Sequence, residues 1–138
     1  MVKQEIRQFV FLRAKHRCEY CGCPLSHSSQ PYDVEHIVPV CKNGTDEFSN
    51  LACACGGCNG HKFTKTHATD PISKLTVPLY HPRLMDWRNH FTWSDDYTIM
   101  MGITPIGRAT IEALQLNRAG NVNLRSVLLL VGLHPPKI

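Results

Sequence analysis

The 138-residue sequence has few of the features that mark a membrane protein or a disordered chain. Its longest apolar run, residues 127–133, is far shorter than the roughly 20 residues of a membrane span. Charged residues make up only 19% of the chain and hydrophobic residues 43%, which excludes a charged disordered chain and suffices for one modest core. No apolar leader with a small-residue cleavage site is visible, so we expect a cytoplasmic protein that does not associate with membranes.

Cysteine, in contrast, is plentiful, and the odd number of seven argues against a fully paired disulfide framework. Clustered cysteines in a reducing compartment are more often metal thiolates. Four of them form two Cys-x2-Cys pairs: Cys18 with Cys21, and Cys55 with Cys58. Four thiolates around one tetrahedral Zn²⁺ form a closed structural site, so this spacing predicts a structural zinc ion. The other three cysteines fit no such pair and are expected to be small buried or idle thiols: Cys23, Cys41 and Cys53.

The net charge of +4 is concentrated at the N-terminus, where residues 1–17 hold five basic residues and one acid. An apolar stripe predicts a helix over residues 2–16, formed by Val2, Ile6, Phe9 and Val10. Arg13 and Arg17 are four residues apart and are expected to share one face of that helix. Arg7, Arg13 and Arg17 are therefore candidates for phosphate contacts, and an ordinary solvated face is the alternative.

The remaining pattern predicts an α+β fold. We expect short strands over residues 33–40 and 51–54, with a helix from Asn59 to about Thr66. The proline-containing segment 68–90 is expected to run extended over the surface. Further elements are expected in the C-terminal half: a hairpin of 91–93 with 97–103, a helix opened by Thr104 as N-cap and Pro105, and a last helix over 121–131 with Leu124, Leu128 and Val131 inward.

Between and just after the cysteine pairs lies an ordered set of polar motifs: Glu35-His36-Ile37-Val38-Pro39, Gly44-Thr45, Asn50-Leu51, and then Asn59, His61 and Lys62. Over about residues 7–65 this set resembles the HNH endonucleases, the zinc-knuckle branch of the ββα-metal nucleases. The resemblance implies a small ββα-metal core at residues 1–67 with a four-cysteine zinc site and an N-terminal helix. Residues 68–138, the C-terminal extension, would add a hairpin and helices packed on or beside that core.

The resemblance also implies roles for individual residues. His36 is the general base that activates water, because a neutral imidazole takes a proton near pH 7. Glu35 and Asn59 are the ligands of a catalytic divalent ion, Mg²⁺ or Mn²⁺. Asn50 holds the loop that orients His36, and Lys62 contacts a phosphate of the DNA. One geometric difficulty stands against this set, because adjacent residues of a strand point to opposite faces. Glu35 and His36 serve one site only if the strand ends or kinks there.

Two functions follow from this interpretation. The first is a metal-dependent HNH endonuclease that hydrolyses phosphodiester bonds in DNA. The second is a non-catalytic, zinc-stabilised module that binds nucleic acid through the basic N-terminal helix. The extension carries little chemistry of its own, and its pattern leaves three roles open: covering the core, forming a homodimer, or binding a partner. Its aromatic residues Trp87, Phe91 and Trp93 are expected to form a packed cluster rather than to stack on bases.

Overall fold

The computed structural model describes residues 3–29 and 31–137 and shows an α+β fold of short helices and three two-stranded antiparallel sheets. In chain order the elements are α1 (Gln4–Arg13), β1 (Tyr32–His36), β2 (Leu51–Cys55), α2 (Gly56–Lys62), β3 (His67–Thr69), β4 (Thr76–Pro78), β5 (Phe91–Trp93), β6 (Met100–Gly102), α3 (Pro105–Leu114) and α4 (Ala119–Leu130). Among the described residues no helix is both long and apolar enough to cross a membrane.

Helix α1 is shorter than the predicted 2–16, because Lys15 and His16 both adopt a left-handed backbone with φ of 55°. Arg17 therefore lies beyond the helix, and the expectation that it shares a helical face with Arg13 was wrong. Val10 is fully buried, whereas Phe9 of the predicted stripe is 45% exposed. Phe9 instead packs on the ring of Phe48, with 4.3 Å between the ring centroids. Val2 lies outside the described residues.

Strands β1 and β2 pair antiparallel, with Glu35 opposite Ala52 and His36 opposite Leu51. Every residue of β2 is buried, because helix α1 contacts this sheet and the rest of the core surrounds it. The ladder ends at His36, four residues before the predicted end. The cause is Asn50, whose side-chain oxygen accepts the Val38 N–H at 2.8 Å and turns the chain out of the sheet.

Helix α2 begins at Gly56, three residues earlier than predicted. The Cys55 sulfur accepts the Cys58 N–H and so takes the place of a conventional N-cap. The helix ends at Lys62, before the predicted Thr66, because Phe63 has a positive φ of 49°. The ββα unit formed by β1, β2 and α2 is the arrangement that the motif resemblance implied.

The C-terminal extension contains a hairpin that the sequence pattern did not predict. Strands β3 and β4 pair within the segment 68–90 that was expected only to run extended. The Asp70 carboxylate closes the connecting loop, because it accepts the backbone N–H groups of Ile72 and Ser73 at 3.2 and 3.0 Å. The hairpin of β5 and β6 confirms the predicted pairing of residues 91–93 with the segment 97–103, of which β6 covers Met100–Gly102.

The helices of the extension follow their predicted starts closely. Thr104 caps α3 by accepting the Gly107 N–H at 3.1 Å, and Pro105 is the first helical residue, as predicted. Helix α4 covers Ala119–Leu130 and buries Leu128, but Val131 is 62% exposed and not inward.

One hydrophobic core runs through both halves of the chain. It joins Val10, Leu51 and Ile37 of the N-terminal half to residues of the extension such as Tyr80 and Leu114. Helix α3 contacts α2, so the extension packs directly on the ββα unit. The chain therefore places its functional side chains on a support built from both halves.

Candidate active site and metal centre

The four paired cysteines converge on one buried point. Their sulfur atoms all lie within 4.8 Å of one another, and each residue is buried: Cys18, Cys21, Cys55 and Cys58. The Cys21 and Cys55 sulfurs are 3.8 Å apart. A Zn–S bond of about 2.3 Å in a tetrahedron gives sulfur–sulfur edges of about 3.8 Å, so the donor set fits a zinc ion in both chemistry and size. The cluster fits a structural metal site, in which four sulfur ligands leave no coordination position open to a substrate.

Backbone groups and one arginine surround these sulfurs. The Cys21 N–H donates to the Cys18 sulfur at 3.5 Å. Arg118, in the turn between α3 and α4, donates to the Cys55 sulfur at 3.5 Å and to the Cys58 sulfur at 3.6 Å. Gly57 makes this approach possible, because a Cβ there would lie 2.5 Å from the Arg118 Nη2 atom. A positive charge supplied by the extension therefore lies against the thiolate cluster.

The loop between β1 and β2 is held by Asn50. Its amide nitrogen donates to the carbonyl oxygens of Val38 and Thr45 at 3.0 and 2.8 Å, in addition to the bond that its oxygen accepts from Val38. Gly44 is required in the same loop, because a Cβ there would lie 1.6 Å from the Val38 carbonyl oxygen. The buried amide thus fixes the backbone directly after His36.

His36 ends β1 on the solvent side of the sheet, with 23% of its side chain exposed. Its Nε2 atom lies 2.6 Å from the Asp46 Oδ1 atom, which belongs to the loop that Asn50 holds. An Nε2–H donor in this bond leaves Nδ1 free to accept a proton. The arrangement is an imidazole oriented by a carboxylate at the protein surface, which is suited to proton transfer.

Glu35 points to the opposite, buried side of the sheet. Its carboxylate forms an ion pair with the Lys62 ammonium group, and the Tyr20 hydroxyl donates to its Oε2 atom at 2.6 Å. Burial raises the pKa of Glu35, and the adjacent Lys62 and Tyr20 partly oppose that effect. Lys62 also donates to the Ile37 carbonyl oxygen at 2.8 Å, so its ammonium group is enclosed by protein atoms.

The strand therefore ends at His36 without turning Glu35 toward the same side. No hydrogen bond or ion pair joins the side chains of Glu35, His36 and Asn59 in the described part of the chain. Asn59 lies in α2 directly after Cys58 and is partly exposed. In this structure the oxygen ligands expected for a divalent ion are not assembled, because the Glu35 carboxylate is held by Lys62 and Tyr20.

Comparison with protein families finds a match over the part of the chain that holds the cysteine cluster and the ββα unit. Residues 18–65 match the family model described as HNH endonuclease. These residues form an HNH endonuclease domain. The domain begins at Cys18, in the first cysteine pair with its turn (residues 18–21, the first knuckle), and ends just after α2. It therefore contains the cysteine cluster, His36, Asn50 and the buried Glu35–Lys62 pair.

The similarity of the chain to one curated protein extends beyond the HNH domain. Over 120 residues it is 28% identical to the Septu protein PtuB of Bacillus thuringiensis, an alignment that covers 84% of this chain and 42% of that protein. The chain thus spans less than half the length of this relative. Because the alignment is longer than the HNH domain, it includes part of the C-terminal extension. No solved structure matches the chain.

The three arginines predicted to contact nucleic acid all bond to the HNH domain or its surroundings. Arg7 pairs with Asp33 at 2.6 Å and donates to the Tyr32 carbonyl oxygen. Arg13 donates to the carbonyl oxygens of Phe48 and Leu51 at 2.9 and 2.6 Å. Arg17 donates to the carbonyl oxygens of Gly22 and Leu133 at 2.8 and 2.6 Å. Their contact with DNA phosphates stays a prediction, and each also fastens α1 or the first knuckle to the rest of the protein.

Three residues of the HNH domain and its surroundings carried no signal in the sequence. Tyr20 lies inside the first knuckle, Asp46 in a loop of polar residues, and Arg118 far along the chain from the cysteines that it contacts. The first two are single polar residues in turn-rich segments, where such residues are ordinary. Only the folded structure shows that they bond to Glu35, His36 and the cysteine cluster.

Proposed function

We propose that this protein is a metal-dependent HNH endonuclease that hydrolyses phosphodiester bonds in DNA, with His36 as the general base. The observation that carries the proposal is the His36–Asp46 pair at the surface of the HNH domain. The match to the HNH family supports a nuclease-type function and so a nucleic acid as substrate. The loop that Asn50 holds supports His36 in a fixed position directly after the sheet.

The proposed step begins with a water molecule beside the Nδ1 atom of His36. His36 accepts a proton from this water as its oxygen attacks phosphorus, while Asp46 stabilises the imidazolium that forms. The bond between phosphorus and the 3′-oxygen breaks, and this oxygen takes a proton from solvent, which leaves 3′-hydroxyl and 5′-phosphate ends. Arg7, Arg13 and Arg17 would hold neighbouring phosphates.

Two metal ions belong to the proposal. A structural Zn²⁺ bound by the four clustered cysteines would hold the two knuckles together, and this donor set fits the ion. A catalytic Mg²⁺ or Mn²⁺, bound by Glu35 and Asn59, would neutralise charge on the leaving oxygen. Glu35 would have to leave its ion pair with Lys62 to bind that ion, and Lys62 would then be free to contact a phosphate.

The test is a nicking assay on supercoiled plasmid with Mg²⁺ or Mn²⁺. We expect the wild-type protein to convert the plasmid to nicked or linear forms, and His36→Ala to lose this activity while retaining its circular dichroism spectrum and zinc content. His27→Ala, at an exposed histidine of the same domain, is the matched control and should cut normally. Unaltered cleavage by His36→Ala would remove His36 from the mechanism, and cleavage unaffected by EDTA at intact zinc content would remove the catalytic ion.

A second function is favoured by one specific observation, the buried Glu35–Lys62 pair that withholds the carboxylate from solvent. It is a non-catalytic, zinc-stabilised module that binds nucleic acid. A gel shift without nicking, under all metal conditions, would support this module over the enzyme. Either kind of binding should weaken as salt rises, because both rest on neutralising phosphates.

A further inference from the structure

A cavity of about 670 Å³ lies between the first zinc knuckle and the C-terminal extension. Residues 13–22 form one wall, and the extension supplies the other through residues such as Tyr80, Trp87, Trp93 and Leu133. Pockets that bind small ligands typically measure about 300–1,000 Å³. Within the described part of the chain, neither His36 nor Asp46 lines this cavity. It is therefore a second concave site, separate from the proposed catalytic pair.

Aromatic side chains form much of the wall on the side of the extension. Trp87 and Trp93 lie with their ring centroids 5.6 Å apart, and Trp87 also stacks on Phe91 at 5.6 Å. This is the packed aromatic cluster that the sequence predicted. Both tryptophans nevertheless stay partly exposed and line the cavity. The Arg125 guanidinium lies over the Trp93 ring at 5.0 Å and the His134 ring contacts it edge-on at 4.6 Å, so only the remaining indole surface is open to a ligand. Planar aromatic surface of this kind suits a nucleobase, because stacking on an aromatic side chain contributes about 1–3 kcal/mol per base.

The charges around the cavity are strongly one-sided. Four lining residues are basic: Arg13, Lys15, Arg17 and Lys137. The one acidic lining residue, Glu19, is ion-paired with Arg83.

Among residues 3–29 and 31–137, no carboxylate forms an ion pair with any of the four basic groups. Arg13 and Arg17 donate to uncharged carbonyl oxygens. Lys15 and Lys137 form no ion pair with any residue that the structure describes. The cavity therefore combines an aromatic wall with an uncompensated positive field, which attracts a planar group that carries an anion.

We propose that this cavity binds a nucleotide, with the base against Trp87 and Trp93 and the phosphate near Lys15 and Lys137. An acidic peptide would satisfy the charges, but it would place no planar group against the indole surface that is still exposed. The nucleotide comes either from free nucleotide in solution or from an unpaired position of a DNA strand. The site contains neither the proposed base nor a proposed ligand of the catalytic ion, although it shares Arg13 and Arg17 with the phosphate contacts of the proposed function.

The chain offers an internal reporter for this site. It contains two tryptophans, and both line the cavity, so intrinsic tryptophan fluorescence measures occupancy there. The full chain is titrated with deoxyadenosine monophosphate and with single-stranded oligothymidylate. No Mg²⁺ or Mn²⁺ is added, and excitation is at the red edge of the indole band, where nucleotides absorb little. We expect saturable quenching by at least one of the two ligands. Binding of the mononucleotide identifies a free nucleotide as sufficient, and binding of the oligonucleotide alone identifies a DNA strand as the source.

A charge variant with a matched control decides whether the cavity is the binding site. Lys15→Gln should weaken binding about tenfold, because a charge-assisted contact to phosphate is lost. Lys74→Gln is the control, since Lys74 is also an exposed lysine with positive φ but lies outside the cavity. Equal weakening by both variants, or no quenching by either ligand, would overturn the proposal.

Two further measurements separate this site from the proposed active site. Trp93→Leu should weaken binding of a dye-labelled oligothymidylate measured by fluorescence anisotropy, with a thermal unfolding scan to show that the variant is folded. His36→Ala should bind nucleotide like the wild type even though it does not cut plasmid. If His36→Ala loses both binding and cleavage while it remains folded, the cavity is not an independent site.

Discussion

Lys62 is the largest of the fully buried side chains that the structure describes. Its ammonium group forms an ion pair with the buried carboxylate of Glu35. Two charges removed from water are tolerated here because they meet each other and bond to Tyr20 and to the Ile37 carbonyl oxygen. The pair connects α2 to β1 inside the HNH domain. At the scale of single residues, a lysine expected to contact DNA is thus part of the interior of the protein in this structure.

Replacing Lys62 alone should be strongly destabilising, because it leaves the Glu35 carboxylate buried and without its partner. We expect Lys62→Met to lower the free energy of unfolding by about 3–5 kcal/mol in urea denaturation. Lys42→Met, at an exposed lysine, should change it by less than about 0.5 kcal/mol. The double variant Glu35→Gln with Lys62→Met should recover part of the loss. Similar, small effects of the two single variants would show that Lys62 projects into solvent.

At the scale of elements, the β3–β4 hairpin is connected to helix α3 by a second ion pair. Arg108 donates through Nε and Nη2 to the two carboxylate oxygens of Asp70, both at 2.9 Å. Asp70 also closes the hairpin loop through the backbone of Ile72 and Ser73, so one carboxylate joins a loop, a hairpin and a helix. Thr104 then fixes where α3 begins.

This pair predicts the pH dependence of stability. The Arg108 guanidinium holds the pKa of Asp70 below its ordinary value, and the bonds from Ser73 and Ile72 act in the same direction. A lowered pKa in the folded state means that the stabilisation is complete above the unfolded-state pKa of about 3.9 and is lost as pH falls toward the folded-state value. In thermal scans the wild type should therefore lose stability below about pH 4. Asp70→Asn should be less stable at pH 7 and should lose less on acidification; parallel curves for the two proteins would contradict the assignment.

At the scale of the whole molecule, the cysteine cluster is where the two halves of the chain meet. Arg118 reaches the sulfurs of Cys55 and Cys58 from the extension, and one hydrophobic core spans both halves. A zinc ion bound by four thiolates carries a net negative charge, which a neighbouring guanidinium stabilises. The extension therefore contacts the cysteine cluster directly, so we expect zinc retention to depend on residues beyond the HNH domain.

Arg118→Gln should speed the loss of zinc, because the guanidinium that bonds to the two sulfurs is removed. We expect zinc transfer to a chromogenic chelator to be faster by roughly tenfold, since outer partners of metal ligands are typically worth 10–100-fold in affinity. Arg118→Lys, which keeps the charge, should be intermediate, and Lys74→Gln should release zinc like the wild type. A wild-type release rate in Arg118→Gln would show that the contact does not stabilise the site.

The sequence by itself determined the features that depend on near neighbours along the chain. The spacing within each cysteine pair and the Thr104–Pro105 start of α3 are local patterns, and each predicted its structure correctly. The order of the HNH motifs predicted the ββα unit but not the burial of Glu35 against Lys62. The predicted helix ends were wrong where a residue such as Lys15 or Phe63 has a positive φ, because hydrophobic periodicity does not indicate the backbone conformation of a single residue.

Only the tertiary structure decided which charged side chains pair within the protein and which stay available to bind a ligand. Glu35 is hydrogen-bonded to Tyr20, which lies 15 residues away in the sequence, and Arg118 is hydrogen-bonded to Cys55, which lies 63 residues away. The cavity likewise exists only where the first knuckle and the extension come together. The physical reason is that a side chain's solvation and partners are set by packing between distant segments, whereas local sequence sets only the backbone element on which that side chain lies.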